Sequence, residues 1–170
     1  MNFCRRCGKA LELLSESEYV CSSNHKIYAN SPPASGIWIV NDNNEVLVAI
    51  RAHEPGTDKY DTPGGFAVEK ESYESSINRE LQEELGLSAS DYTKPEYLTS
   101  GIDAYHWGGE EISVSTVIYW AHIIGNPRIK ASDDVAEARF IPINDIELEK
   151  VYFDTPRTGL IMLKKILNTV

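Results

Sequence analysis

No apolar run in the sequence approaches the ~20 residues needed to cross a bilayer, which excludes a helical membrane protein. The opening MNFCRRCGKALE also lacks the apolar stretch of a secretory signal, so a cytoplasmic protein is expected. Positive charge is scarce, with 16 Lys and Arg against 26 Asp and Glu and a formal net charge of −10. Binding a long nucleic acid takes an array of basic side chains to displace condensed counterions, and this chain does not offer one. A small phosphorylated ligand stays compatible with such acidity if divalent cations neutralise carboxylates locally. Internal repeats and low-complexity tracts are missing as well. Hydrophobic residues at 42% and charged residues at 25% are ordinary for globular proteins, which excludes disorder and fibrous architectures. With 170 residues, the chain accommodates one sizeable domain and a small appendage.

Cysteine is rare and unevenly placed: all three, Cys4, Cys7 and Cys21, precede Asn30. Cys4-Arg5-Arg6-Cys7-Gly8 has the C-x2-C spacing of a zinc knuckle, and Cys21-Ser22-Ser23-Asn24-His25 follows. Three thiolates and the His25 imidazole would complete a closed, tetrahedral structural zinc site. A redox pair at Cys4 and Cys7, or cysteines left from a lost site, are the alternatives; a thioredoxin-like pair should follow a strand within a βαβ pattern, and this one does not. A segment with so few apolar side chains could hardly fold without metal. Ser31-Pro32-Pro33 looks like a boundary, giving a zinc ribbon over residues 1–30 and a main domain over 31–170.

Past that boundary, Ala34 to Val40 and Glu45 to Arg51 read as strands around the turn residues Asn41 to Asn44. A short strand is expected around Phe66 to Val68. A helix should then run from a Ser72 N-cap, with Glu74 suited to its first turn, to Gly86 as the terminating glycine. Tyr97 to Tyr105 and Ile112 to Ile124 read as strands, the second too continuously apolar to be fully exposed on either face. Gly125 to Glu137 reads as a polar loop, Ala138 to Ile141 as a short strand, and Pro156 to Leu167 as an amphipathic helix. Strands on either side of a central helix, with another helix at the end, predict an α+β fold with a mixed sheet covered on both faces.

The expected central helix carries the chemistry. Glu80, Glu83 and Glu84 fall within an arc of about 100° on it, and like charges so placed weaken a helix by a few tenths of a kcal/mol per pair. Arg79 can pair with Glu83 one turn on, which leaves carboxylates facing each other. Magnesium or manganese would offset that repulsion, since these hard cations take oxygen ligands and leave positions for water and phosphate. A solvated acidic face is the alternative for an isolated E-x-x-E-E.

Context decides between them. From Gly65 the chain runs five residues to Glu71, then seven to Arg79-Glu80-Leu81-Gln82-Glu83-Glu84-Leu85-Gly86-Leu87. This is similar to the Nudix box, G-x5-E-x7-R-E-U-x-E-E-x-G-U with U aliphatic, at every defined position, and a chance match at a given start is rarer than roughly one in 10⁸. The resemblance extends over about residues 34–168 and implies that family's α/β/α sandwich, following the zinc ribbon. It implies magnesium or manganese ligands at Glu80, Glu83 and Glu84, with the Gly64 carbonyl as another. Glu71 and Arg79 would hold the loop to the helix as an ion pair, while Gly64 and Gly65 let backbone approach metal and phosphate closely. The implied reaction is water attack at phosphorus in a nucleoside diphosphate linked to a further group. Its general base would be Asp134, in a loop with Asp133 and Glu137, or else Glu83.

The N-terminal segment resembles the ribbon of some Nudix hydrolases, including NADH pyrophosphatases, in which a fourth cysteine stands where this chain has Asn24; His25 is the nearby replacement. The downstream S-Q-P-W-P-F-P-x-S array of the NADH branch is missing here, and Pro95 comes earlier than the proline of many ADP-ribose hydrolases. Tyr105 lies where a tyrosine marks some dinucleoside polyphosphate hydrolases and could stack on a base; His106 and Trp107 are ambiguous neighbours. Expected partners are thus a small nucleotide-type substrate, neither long nucleic acid nor membrane, with a homodimer left open. A different class of function is a nucleotide sensor whose ribbon, with Arg5, Arg6 and Lys9, contacts a macromolecule. The complete set of box acids argues against a purely non-catalytic role.

Overall fold

The computed structural model describes residues 2–168, and the chain separates into two compact units, Met1–Ser31 and Pro32–Val170. In the first unit, β1 (Leu11–Leu13), β2 (Glu18–Cys21) and β3 (Lys26–Tyr28) form an antiparallel sheet in that order. Cys4, Cys21 and Ile27 are its buried centre, with Leu11 and Tyr19 packed against them. These strands have three or four residues each, too short for an alternation that a sequence reading could detect.

The second unit comprises β4 (Pro33–Val40), β5 (Glu45–Arg51), β6 (Tyr60–Asp61), β7 (Gly64–Phe66), α1 (Tyr73–Leu85), β8 (Glu96–Trp107), β9 (Glu110–His122), β10 (Val135–Pro142) and α2 (Asp154–Leu167). Its seven-stranded sheet has the path β10-β5-β4-β9-β8, with β6 joined to β5 and β7 to β4. Among the strand pairings of the described residues, β4–β9 alone is parallel, and the rest are antiparallel. Asn41 makes the β4–β5 turn through its side-chain carbonyl, which accepts from the Asn43 and Glu45 amides at 3.0 Å each.

Alternation along β4 and β5 separates two cores. Ile37, Ile39, Leu47 and Ala49 face α1, where they meet Ile77, Leu81 and Leu85. Trp38, Val40, Val46 and Val48 face the other way, onto Leu160 and Leu163 of α2. Full burial of each such side chain contributes about 1.5–3 kcal/mol, so this three-layer packing outweighs local propensity. The result is the α+β sandwich expected from the order of elements.

Differences from the sequence expectation lie at the element ends. The short strand expected at Phe66–Val68 is β7, Gly64–Phe66, because Gly64 and Gly65 pair with Gly36 and Ser35. The two-residue β6 has no sequence signal. β8 and β9 extend to a turn at Gly108-Gly109, both at positive φ, and β10 begins at Val135 rather than Ala138. Helix α2 starts at Asp154 rather than Pro156, since the Asp103 carboxylate on β8 accepts from the Thr155 amide at 2.9 Å and caps the helix from another strand.

One departure from regularity creates the site. β4 pairs with β5 only at Ile39 and Val40, whereas its earlier residues Ala34, Ser35 and Gly36 pair with β7. The sheet forks there, and the Ile37 amide donates to the Pro63 carbonyl at 3.0 Å. The fork brings the loop before α1 into the sheet.

Candidate active site

Helix α1 presents the acids because its other face is committed to the core. Ile77, Leu81 and Leu85 are fully buried, which leaves the flank with Glu80, Glu83 and Glu84 directed at the fork. Ser72 caps the helix by accepting from the Ser75 amide at 3.2 Å, a contact worth about 1 kcal/mol. Gly86 ends it at φ +71, donating to the Gln82 carbonyl at 3.1 Å.

A cavity of about 310 Å³ opens beside these acids, and Gly64, Gly65, Glu80, Glu83, Glu84, Asp133 and Asp134 line one part of it. Glu84 is buried and accepts from the Gly64 amide at 2.9 Å. Burial pushes its carboxyl up to about 8; the Gly64 amide opposes the shift, while the nearby Glu80, Asp61 and Asp134 charges add to it. Burial also raises the Glu80 carboxyl, against the pull of Arg79. Glu83 is exposed at the rim.

Arg79 organises this arrangement. Its Nε and Nη2 donate to the two Glu71 oxygens at 3.0 and 3.1 Å, and Nη2 also reaches the Phe66 carbonyl at 3.0 Å. Its Nη1 donates to Glu80 at 2.8 Å and to Glu83 at 2.9 Å. Glu71 in turn accepts from the Val68 amide at 3.0 Å, so one guanidinium ties the loop before α1 to the helix. Glu71 and Arg79 are thus ion-paired at 3.0 Å between the loop and the helix. The glycines are required by space: a Cβ on Gly65 would lie 2.5 Å from a Glu80 carboxylate oxygen, and Gly64, at φ +141, backs onto the Ser35 carbonyl.

Asp134 reaches the same cavity, although its side chain is 75% exposed. Tyr105 lies on the wall, half-buried, stacked on Phe153 at 5.8 Å and edge-on to Phe66 at 5.4 Å. His106 and Trp107 are not among the residues that line the cavity: His106 pairs with Glu111 at 3.5 Å, and Trp107 is exposed.

Four lining residues had no signal in the sequence. Arg51 and Asp61 form an ion pair at 2.7 Å, the Arg51 Nε donates to the Pro55 carbonyl at 2.6 Å, and the guanidinium lies over Phe153 at 5.1 Å. Asp103 is buried at the cavity edge, bonded to the start of α2. None of the four belongs to a spaced motif; only the pairing of β5 with β6 and the approach of α2 to β8 bring them together.

The first unit has its own candidate metal centre. The ligand atoms of Cys4, Cys7, Cys21 and His25 all lie within 4.8 Å of one another. Cys4 Sγ is 3.6 Å from His25 Nδ1, and Cys7 Sγ is 3.7 Å from Cys21 Sγ. A tetrahedron with zinc–sulfur bonds of ~2.3 Å has edges of about 3.8 Å, so the set fits zinc. Asn24 takes the left-handed conformation at φ +58, which asparagine tolerates, and the next residue, His25, approaches Cys4 Sγ.

Comparison with known proteins agrees with this geometry. The NUDIX domain family matches residues 30–158. An ADP-ribose pyrophosphatase of Methanocaldococcus jannaschii is 29% identical over 136 residues, covering 76% of this chain and 72% of that protein. The mitochondrial NAD(P)H pyrophosphatase NUDT13 of Homo sapiens is 35% identical over 86 residues, which is 50% of this chain but 24% of that protein. Among solved structures, a NUDIX hydrolase from Nitrosomonas europaea superposes with a TM-score of 0.70 at 20% identity, covering 98% of this chain and 93% of its own.

Proposed function

The chain belongs to the NUDIX domain family, and on that footing we propose that it is a magnesium- or manganese-dependent pyrophosphohydrolase acting on a nucleoside diphosphate linked to a further group. One observation carries the proposal: the acids of the box converge on a cavity beside a glycine backbone, with Glu84 buried among like charges. Carboxylates crowded in this way form a hard oxygen donor set, the kind that suits a small divalent cation. Glu80, Glu83 and Glu84 would hold the ion, with the Gly64 carbonyl as a further ligand. When bound, such an ion lowers the pKa of the attacking water and neutralises charge developing on the leaving phosphate.

The chain's own groups do the rest. Water adds to phosphorus as the bridging P–O bond breaks. The proton lost by the water goes to Asp134, and the leaving phosphate carries away the bonding electrons. Gly64 and Gly65 let the phosphates come close to the backbone, where a side chain would obstruct them. Arg79, saturated by Glu71, Glu80, Glu83 and the Phe66 carbonyl, holds the scaffold rather than the substrate. The Tyr105 ring would pack against the nucleoside, and Arg51, the other lining cation, would help hold an anionic substrate. The first unit would bind one structural zinc through Cys4, Cys7, Cys21 and His25.

The test is turnover of a panel with added magnesium, in which ADP-ribose, NADH and a diadenosine polyphosphate are each followed by chromatography. ADP-ribose heads the panel because the relative matched over most of its length is a pyrophosphatase for that compound. Release of a nucleoside monophosphate from any member supports the proposal. Binding without cleavage across the panel would favour a nucleotide sensor instead.

A further inference from the structure

The loop that carries Asp134 is tied down at two places. On the helix side, the Ser132 amide donates to the Glu84 carbonyl at 2.8 Å. The Ser132 hydroxyl donates to the Glu83 carbonyl at 2.6 Å and approaches that of Glu84 at 3.2 Å. On the sheet side, the Asp134 carbonyl accepts from the Ala52 amide, just past β5, at 2.9 Å. Between the two anchors, Asp133 takes the left-handed conformation at φ +54, which aspartate tolerates better than most residues.

Any helix end needs partners for its last four carbonyls, and α1 divides that need. The Gly86 amide takes the Gln82 carbonyl and the Lys130 amide takes that of Leu85, each at 3.1 Å, while Ser132 takes the two between. Those two belong to the residues whose carboxylates face the cavity. A group bonded to their carbonyls is held in register with their side chains. The Asp134 side chain has no comparable anchor of its own: it is 75% exposed, and its approach to His53 at 4.0 Å is too long and too solvated to hold it.

We propose that Ser132 is a positioning residue, fastening the Asp134 loop to the backbone of Glu83 and Glu84 so that the proton acceptor stays within reach of the attacking water. This rests on the hydrolase proposal and on Asp134 as base. A displacement of about 1 Å in a reacting group costs up to about a hundredfold in rate.

The test is a double-mutant cycle, measured on whichever panel compound the wild-type protein cleaves fastest. Ser132→Ala should lower kcat about tenfold or more, with KM and the magnesium dependence near wild type. Ser132→Thr, which keeps the hydroxyl, should recover most of the loss. Asp134→Asn alone should lower kcat, and adding Ser132→Ala to it should have no further effect. In metal-free Ser132→Ala, exchange of the Val135 amide, bonded to the Ser132 carbonyl at 3.1 Å, should accelerate while that of Leu81 does not. Additive losses, wild-type kcat in Ser132→Ala, or unchanged exchange at Val135 would each overturn the inference. Wild-type kcat in Asp134→Asn would instead remove Asp134 as the base, and the inference with it, while leaving the hydrolase proposal standing. A panel that yields no hydrolysis removes both.

Discussion

The two units place their ligand atoms in opposite relations to their cores. In Met1–Ser31 two of the candidate ligands, Cys4 and Cys21, form the buried centre together with Ile27, while His25 is half-buried and Cys7 exposed beside them. In Pro32–Val170 two apolar cores are packed without Glu80, Glu83 or Glu84, and the acids sit on a helix whose apolar face is already packed. A metal in the first unit would therefore stabilise the fold, as structural zinc does. In the second unit both cores are packed by apolar side chains, so the proposed ion would be left for chemistry. Ligand type separates the two as well, thiolate and imidazole against carboxylate.

The sharpest way to break this comparison is to remove the charge of a box acid. Glu84→Gln and Glu83→Gln should each lower turnover at least about a hundredfold while the circular dichroism spectrum stays native. Wild-type turnover in both would end the assignment. Glu84 also makes a pH prediction. Its folded-state pKa of about 8 lies above the ordinary 4.5, so folding favours the protonated form. In metal-free protein the stability it contributes is fully present below about pH 4.5 and lost as pH rises through about 8. Glu84→Gln should flatten that part of the melting temperature against pH curve.

Zinc removal probes the other unit. Metal analysis should find about one zinc per chain, and stripping it should unfold Met1–Ser31 while magnesium-dependent turnover persists. A protein beginning near Ser31 should fold and stay active; if it folds but is inactive, the first unit takes part in the substrate site or in a required dimer.

Smaller effects test the geometry around the acids. Gly65→Ala, whose Cβ would meet Glu80 at 2.5 Å, should weaken magnesium activation with little change in melting temperature, read from rate against magnesium concentration. The smallest effect belongs to Tyr105→Ala. Loss of one aromatic contact, about 0.5–1.5 kcal/mol, should raise KM by roughly two- to tenfold with kcat near wild type. Unchanged KM would place the nucleoside elsewhere.

The helix of the box and its caps were legible in the sequence because everything that makes them is local. Ser72 meets Ser75, Gly86 meets Gln82, and Arg79 meets Glu80 and Glu83, all within four residues. The C-x2-C spacing is equally local, and so are the turn at Asn41 and the alternation in β4 and β5. Asp134 and Tyr105 could be named from the resemblance, but the other residues of the cavity wall outside the box were decided by tertiary structure alone. Ser132 lies 49 residues from the Glu83 carbonyl it bonds, and Thr155 lies 52 from Asp103. Arg51 reaches Asp61 only because β6 folds back on β5, and Tyr105 meets Phe153 only where α2 approaches β8. Contacts over such separations depend on the strand order and on the fork in β4, which arise when two apolar faces are buried at once; no short stretch of sequence carries that information.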